Sequence, residues 1–370
     1  MRSLRAGWAL HRARNRGQLA RYWMARGDLD EAAVHARRAL RLVRAGPSPP
    51  PHLAADLAML VARVERDRDN AAASQEALLW TVERLEAAPA GHRRDQMLGA
   101  TLAELGDAHR RAGRYPQATA ALRQAHQLLA GNPVAEPIQL AGVVTQQGIL
   151  AKELGEYQDA ARCYAQVGRI LATAGAPAAA EATLQHNLAG LAHIQHQYQR
   201  AETHARQAVA LRRRVPRVSD VDIALDLAVL AAALAGQQRH DEARDLFEQA
   251  MAACQQARPP RRYEVAVHLH NLAAIDQASG FPHEAERRYR QALALKEELL
   301  GPQHPEIGLL ANNLGTLLHD QGRDAAAAAC YERALRLVTR HYPPDHPAIA
   351  AISANLTRAA AAERVPQPPS

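Results

Sequence analysis

Lysine is nearly absent from this 370-residue chain: only Lys152 and Lys296 stand among its 45 Lys and Arg. Aromatic residues make up 4% and beta-branched residues are sparse, so little of the sequence suits a strand. No apolar/polar alternation at period two runs through it, which excludes an ordinary half-buried sheet. Cys163, Cys254 and Cys330 lie far apart with no C-x-x-C pair, which argues against a disulfide framework or a zinc ribbon and fits a reducing compartment. No apolar run of about 18 residues occurs, and "MRSLRAGWALHRARNRG" sets arginines where a leader would need its apolar core. The expectation is a soluble, unexported protein in the cytoplasm, with no membrane partner. The motifs G-x-x-x-x-G-K-[ST], G-x-S-x-G and H-E-x-x-H are missing too, so no enzyme and no cofactor is expected.

What remains is alanine, leucine, arginine, glutamate and glutamine, with 48% hydrophobic residues, a composition that builds closely spaced helices. The expected fold class is all-α. With so little lysine and so much alanine, the composition fits the coding bias of a GC-rich bacterial genome. The net charge of +7 is confined: residues 1–44 hold eleven Arg against Asp28, Asp30 and Glu31, and the rest of the chain is close to neutral. An Arg-rich N-terminus opens an alternative function, a basic nucleic-acid-associated regulator whose binding weakens steeply with salt. Against it, Leu19, Ala20, Trp23, Leu29, Ala32, Ala36, Ala39 and Leu40 fit packing positions, leaving the arginines as a wet face. Trp8 and Leu4 precede the first unit and are placed to cap it.

Self-comparison finds a repeat. An alanine recurs at Ala32, Ala73, Ala118, Ala160, Ala201, Ala243, Ala285 and Ala327, close to every 42 residues. Twelve positions earlier stand Ala20, Val61, Gly106, Gly148, Ala189, Ala231, Ala273 and Gly315; five earlier, Gly27, Gly113, Gly155, Gly280 and Gly322. Four later come bulky residues such as Leu122, Tyr164, Phe247, Tyr289 and Tyr331, and seven later small ones such as Ala39, Ala125, Ala208, Ala250, Ala292 and Ala334. Small residues let antiparallel helices approach, a glycine eases the turn between them, and the bulky side chain fills the gap to the next unit. Arg68, His196 and Gln238 take the place of the turn glycine, and looser turns are expected at His196 and Gln238. Trp80 replaces the late alanine.

These columns resemble the tetratricopeptide repeat. The 42-residue period, with "GPQHPEIGLLANNLGTLLHDQGR" and "YPPDHPAIAAISANL", is similar to the longer kinesin light chain type. The resemblance implies a right-handed α-solenoid of about eight antiparallel helix pairs plus a C-terminal capping helix. The units are expected near 9–44, 54–87, 97–130, 139–173, 181–213, 220–257, 262–300 and 304–340, with the cap at 346–362. Residues 1–8 read as a basic extension and 363–370 as a disordered tail. The Pro/Gly breaks at 46–52, 131–137, 175–177 and 258–262 are linkers between repeats.

Fourteen positions before each marker the column reads Gln18, Met59, Glu104, Gln146, Asn187, Val229, Asn271 and Asn313, and Asn355 continues it in the cap. In the resembling family, first helices line the concave wall and such asparagines hydrogen-bond the backbone of an extended peptide. A carboxamide suits this because it offers both donor and acceptor. The expected groove comprises Asn187, Asn271, Asn312 and Asn313, with His186, His193, His270 and His319 beside them, and Gln146, Lys152, Arg110 and Arg111 on a mixed-charge stretch. The competing reading is that these amides bond neighbouring helices. His186, His193, His196 and His204 form the densest histidine cluster, yet no carboxylate or cysteine completes a ligand set, so no metal is expected. The function expected is a non-catalytic protein-protein interaction scaffold, an adaptor or regulator binding a peptide or extended protein segment; a peptide-pheromone sensor is the third alternative.

Overall fold

The computed structural model describes residues 2–46, 50–175 and 177–363; side chains are described from Gly7 to Ala362 within those ranges. Among the described residues there are seventeen helices and no strand. The first helices of successive pairs are α1 (Arg2–Ala25), α3 (Pro51–Asp67), α5 (His92–Arg111), α7 (Pro137–Glu153), α9 (Ala178–Ile194), α11 (Asp220–Gly236), α13 (Arg262–Ala278) and α15 (Pro305–Asp320). The helices that follow them in the chain are α2 (Leu29–Arg44), α4 (Ala71–Glu86), α6 (Tyr115–Leu129), α8 (Tyr157–Ala174), α10 (Tyr198–Arg213), α12 (His240–Gln256), α14 (Pro282–Leu300) and α16 (Asp324–His341), and α17 (Pro347–Glu363) comes last. The tail expected at 363–370 lies outside the described residues except for Glu363, and so do residues 47–49 and 176 within the expected linkers.

The chain divides into two compact units. One comprises Met1–Leu150, Ala165–Ala176 and Gln256–Arg261, the other Ala151–Tyr164, Pro177–Gln255 and Arg262–Ser370. In the first, α1 packs on α2, α3 on α4 and α5 on α6, while α1, α3 and α5 also touch in series. In the second, α9 packs on α10, α13 on α14 and α15 on α16, and α9, α11, α13, α15 and α17 form one continuous layer. First helices therefore stack on first helices within each unit, the consequence of repeating one helix hairpin whose apolar face cannot be covered alone.

The small-residue columns are the core. Ala32, Ala118, Ala160, Ala201, Ala243, Ala285 and Ala327 are all fully buried, as are Ala20, Ala189, Ala231 and Ala273. At Gly106 an added Cβ would lie 2.7 Å from Leu122 Cγ, and at Gly315 2.8 Å from Tyr331 Cε1, so glycine there is required by the close approach of the paired helices. The second repeat corrects the sequence register. Its buried marker is Ser74, not Ala73; the hydroxyl is satisfied by Ala62 O at 2.8 Å. The late small position is then Thr81, fully buried, and Trp80 lies half-buried between the guanidinium groups of Arg44 and Arg84.

The turns are also corrected. Left-handed backbone occurs at Gly27, Asp69, Gly113, Gly155, His196, Gln238, Gly280 and Gly322, so the second repeat places Asp69, not Arg68, at the glycine position. The turns at His196 and Gln238 are not looser: His196 N reaches His193 O at 2.9 Å and Gln197 N reaches Ala192 O at 2.9 Å, matching the Gly113 and Arg114 bonds to Arg110 O and His109 O. The helix-end hydrogen bonds hold the conformation, and the L-residue bears the strain. At the N-terminus α1 is a single helix, and Trp8 does not cap a unit, being 72% exposed; the Leu4 side chain is outside the described set.

Candidate functional site

In the second unit the stacked first helices meet in near-equal register, so a side chain on one helix faces the residue 43 positions later on the next. Tyr263 donates to both carboxylate oxygens of Glu306 at 2.9 Å, Gln277 to Asp320 at 2.8 Å, Asn313 Nδ2 to His270 Nε2 at 2.8 Å, and Asn355 Nδ2 to Asn312 Oδ1 at 2.9 Å. Asn312 Nδ2 in turn donates to Asn313 Oδ1 at 3.3 Å, and Arg358 donates to Asn355 Oδ1. The result is a relay across α17, α15 and α13 in which every donor points the same way, from Arg358 through Asn355, Asn312 and Asn313 to His270. Chains of this kind polarise one another and favour a single register.

Burial, aided by Lys296 and opposed by Glu306, pushes the His270 imidazole down to about 4. It is therefore neutral at pH 7 and accepts the Asn313 proton at Nε2. Lys296 donates to Glu306 Oε2 at 2.6 Å with its ammonium 5.2 Å from the Tyr263 ring centroid. Burial alone would raise the Glu306 carboxyl, yet Lys296, His304 and Tyr263 together outweigh it and the net shift is downward.

The structure thus brings His270, Asn312 and Asn313 together, but bonded to one another. Asn187 is 5% exposed, and its amide donates to Thr183 O on its own helix at 2.8 Å. His186 pairs through Nδ1 with the fully buried Asp226 at 2.9 Å, which Arg212 also holds at 2.8 Å. His193 lies against Tyr198 with its ring tilted and has a buried Nδ1 without a hydrogen bond, while burial, then His196 and Lys152, lower its pKa. Lys152 lies alongside, its Nζ 3.2 Å from where a Gly190 Cβ would stand. His319 bonds Asp324 across the α15–α16 turn. Asn271 differs: it is half-buried and makes no side-chain hydrogen bond among the described residues. The residue 43 positions before it is Ala228, which has no polar side-chain atom to offer.

Arg110, Arg111 and Gln146 belong to the first unit. Both arginines bond the buried Asp107, at 2.6 and 3.0 Å; burial would raise that carboxyl, but the guanidinium groups hold it down at about 2. Gln146 buries its Oε1 without a hydrogen bond. The first unit instead opens a cleft of about 290 Å³ on its first-helix wall. Met59 and Met97 are in its lining, with Arg21 and Asp56 joined by a two-pronged ion pair at 2.7 and 2.8 Å. Gln96 bonds Gln139 at 2.8 Å, again 43 positions on, and the exposed Arg93 makes no ion pair among the described residues. Apart from Met59 these cleft residues escaped the sequence reading, because only the register between stacked helices reveals which flank opens to water. The pairing of Gln96 with Gln139 and Asn312 with Asn355 was visible as polar residues one position beyond the repeat period.

Among the described residues no helix is long and apolar enough to cross a membrane, and no group of three or more His, Cys, Asp or Glu is placed to hold a metal ion.

The tetratricopeptide repeat family matches over residues 180–256 and 264–340. No curated protein matches the sequence. A Rap protein complexed with Competence and Sporulation Factor is similar in structure with a TM-score of 0.61 at 12% identity, over 96% of this chain and 98% of that one. The apo quorum sensor NprR from B. thuringiensis gives 0.57 at 12% identity, over 88% and 87%. A Podospora anserina protein described as a kinesin light chain with nearly identical repeats gives 0.38 at 26% identity, over 48% and 85%.

Proposed function

We propose, from the premise that this chain carries tetratricopeptide repeats, that it is a non-catalytic scaffold holding an extended segment of a protein partner along its first-helix wall. The observation that carries this reading is the cleft of the first unit, whose lining residues lie on the consecutive first helices α1, α3, α5 and α7. Thioethers adapt to irregular apolar side chains, and the flanking Arg93, Gln96 and Arg21–Asp56 offer polar contacts at the rim. In the second unit Asn271 is the carboxamide best placed to grip a backbone, since its neighbours in the column are engaged with protein groups. Asn312, Asn313, His186, His270, His193 and His319 then shape the wall of the second unit, to which Lys152 adds charge, while on the first unit Arg110 and Arg111 supply charge and Gln146 a neutral amide.

A photocrosslinking amino acid at Gln96 or at Asn271 in living cells tests this. Both positions should yield adducts with a protein, while the exposed second-helix position Gln124 should not. Equal labelling from Gln124, or no adduct from either first-helix position, would overturn the reading. A regulator sensing a short peptide would use the same wall, a use compatible with the fold shared with a Rap protein and with NprR; adducts of peptide mass distinguish it.

A further inference from the structure

The first helix exposes large apolar side chains on the side away from its packed face. Ala13, Gly17 and Ala20 face the interior, with Gly17 close against Leu57 of α3. On the opposite side Trp8, Leu19 and Tyr22 are 72%, 41% and 52% exposed. At about 100° per residue these three fall within about 60° of one another along about 21 Å of helix, Leu19 and Tyr22 adjacent and Trp8 beyond the exposed, mutually bonded His11 and Asn15. Five other large apolar side chains are exposed among the described residues: Val34, Leu79, Val134, Ile194 and Phe281, each on a different element or connection. Singles of that kind are ordinary; three on one face of one helix are not.

The charge around these side chains selects their occupant. α1 has no acidic residue over its 24 positions and six arginines. Arg12 and Arg14 are exposed and make no ion pair among the described residues, and Arg26 lies 5.5 Å from the Tyr22 ring centroid, donating to its hydroxyl at 3.3 Å. A second copy of the chain placed face to face would set arginines against arginines, which disfavours it. The layer itself indicates the shape such an occupant would take, because α3 is flanked by first helices on both sides whereas α1 meets one on a single side.

We propose that the outward face of α1 docks an acidic amphipathic helix of a partner protein, whose apolar ridge seats on Trp8, Leu19 and Tyr22 and whose carboxylates meet Arg12, Arg14 and Arg26. This surface is separate from the cleft of Met59 and Met97, so it stands or falls independently of the scaffold reading.

The test uses the full chain and a fluorescein-labelled helical peptide of about 15–20 residues with leucine on one face and glutamate on its flanks. Anisotropy should rise to saturation and weaken steeply with salt. Replacing Trp8, Leu19 and Tyr22 together by glutamate should reduce affinity at least about tenfold with circular dichroism unchanged, and a peptide with lysine in place of glutamate should not bind. No anisotropy change, or equal binding by the triple variant, would overturn the proposal. So would a wild-type dimer by sedimentation that the triple variant loses, which assigns the face to a second copy. Flotation with phosphatidylserine vesicles that depends on the same three residues would assign it to a lipid surface and equally end the case.

Discussion

Asn313 on α15 donates its amide proton to His270 on α13 at 2.8 Å across 43 residues of sequence, one more than the repeat period. The same separation joins Asn355 to Asn312, Tyr263 to Glu306, Gln277 to Asp320 and Gln96 to Gln139. These polar side chains of the first helices are therefore rungs that fix how one repeat sits on the next.

The relay between Asn355 and Asn312 should show energetic coupling. Each single alanine variant leaves a half-buried amide short of a partner, and a double-mutant cycle on urea midpoints should give an interaction of about 0.5–1.5 kcal/mol. Strict additivity would mean that the rung is not formed in solution.

Stability should fall on mild acidification. Burial lowers His268 to about 4, and burial with Lys296 does the same to His270, so the unfolded chain takes up these protons first. The sign follows: the contribution is complete above about pH 6.5 and is lost as pH drops toward 4, on the order of 3 kcal/mol for the fully buried His268. Denaturation at pH 7 and pH 5 should show a decline that shrinks when both histidines are replaced by asparagine; an unchanged pH slope in that variant contradicts the assignment.

Glycine-to-alanine changes should split by position. Gly106→Ala and Gly315→Ala drive a methyl into Leu122 and Tyr331 and should cost about 1–3 kcal/mol. Gly142→Ala, in helix α7 with nothing within 4 Å, should stabilise by up to about 1 kcal/mol. Thermal melts of the three variants decide it, and a common sign for all three would refute the close-approach argument.

Gln238→Gly should stabilise the chain by about 0.5–1 kcal/mol, because Gln238 sits at φ 63° where five other repeats place glycine. A lower melting temperature for this variant would show that its side chain supports the turn in a way the backbone geometry does not reveal.

The sequence by itself determined the helix pairs, the 42-residue period and the small residues at the helix contacts, because each depends on spacing within one hairpin and on residue size. It misplaced one register, taking Ala73 for the buried Ser74, since an alanine and a small hydroxyl residue side by side are equivalent until a neighbouring carbonyl is present to satisfy the serine. It also read the asparagines as open to a guest. Only the tertiary structure decided that Asn187 turns back on its own helix, and that Asn312 and Asn313 bond one another, Asn355 and His270. The physical reason is that a carboxamide's role depends on what lies across the contact between stacked helices, and that neighbour is set by the stagger between repeats, which no local pattern encodes.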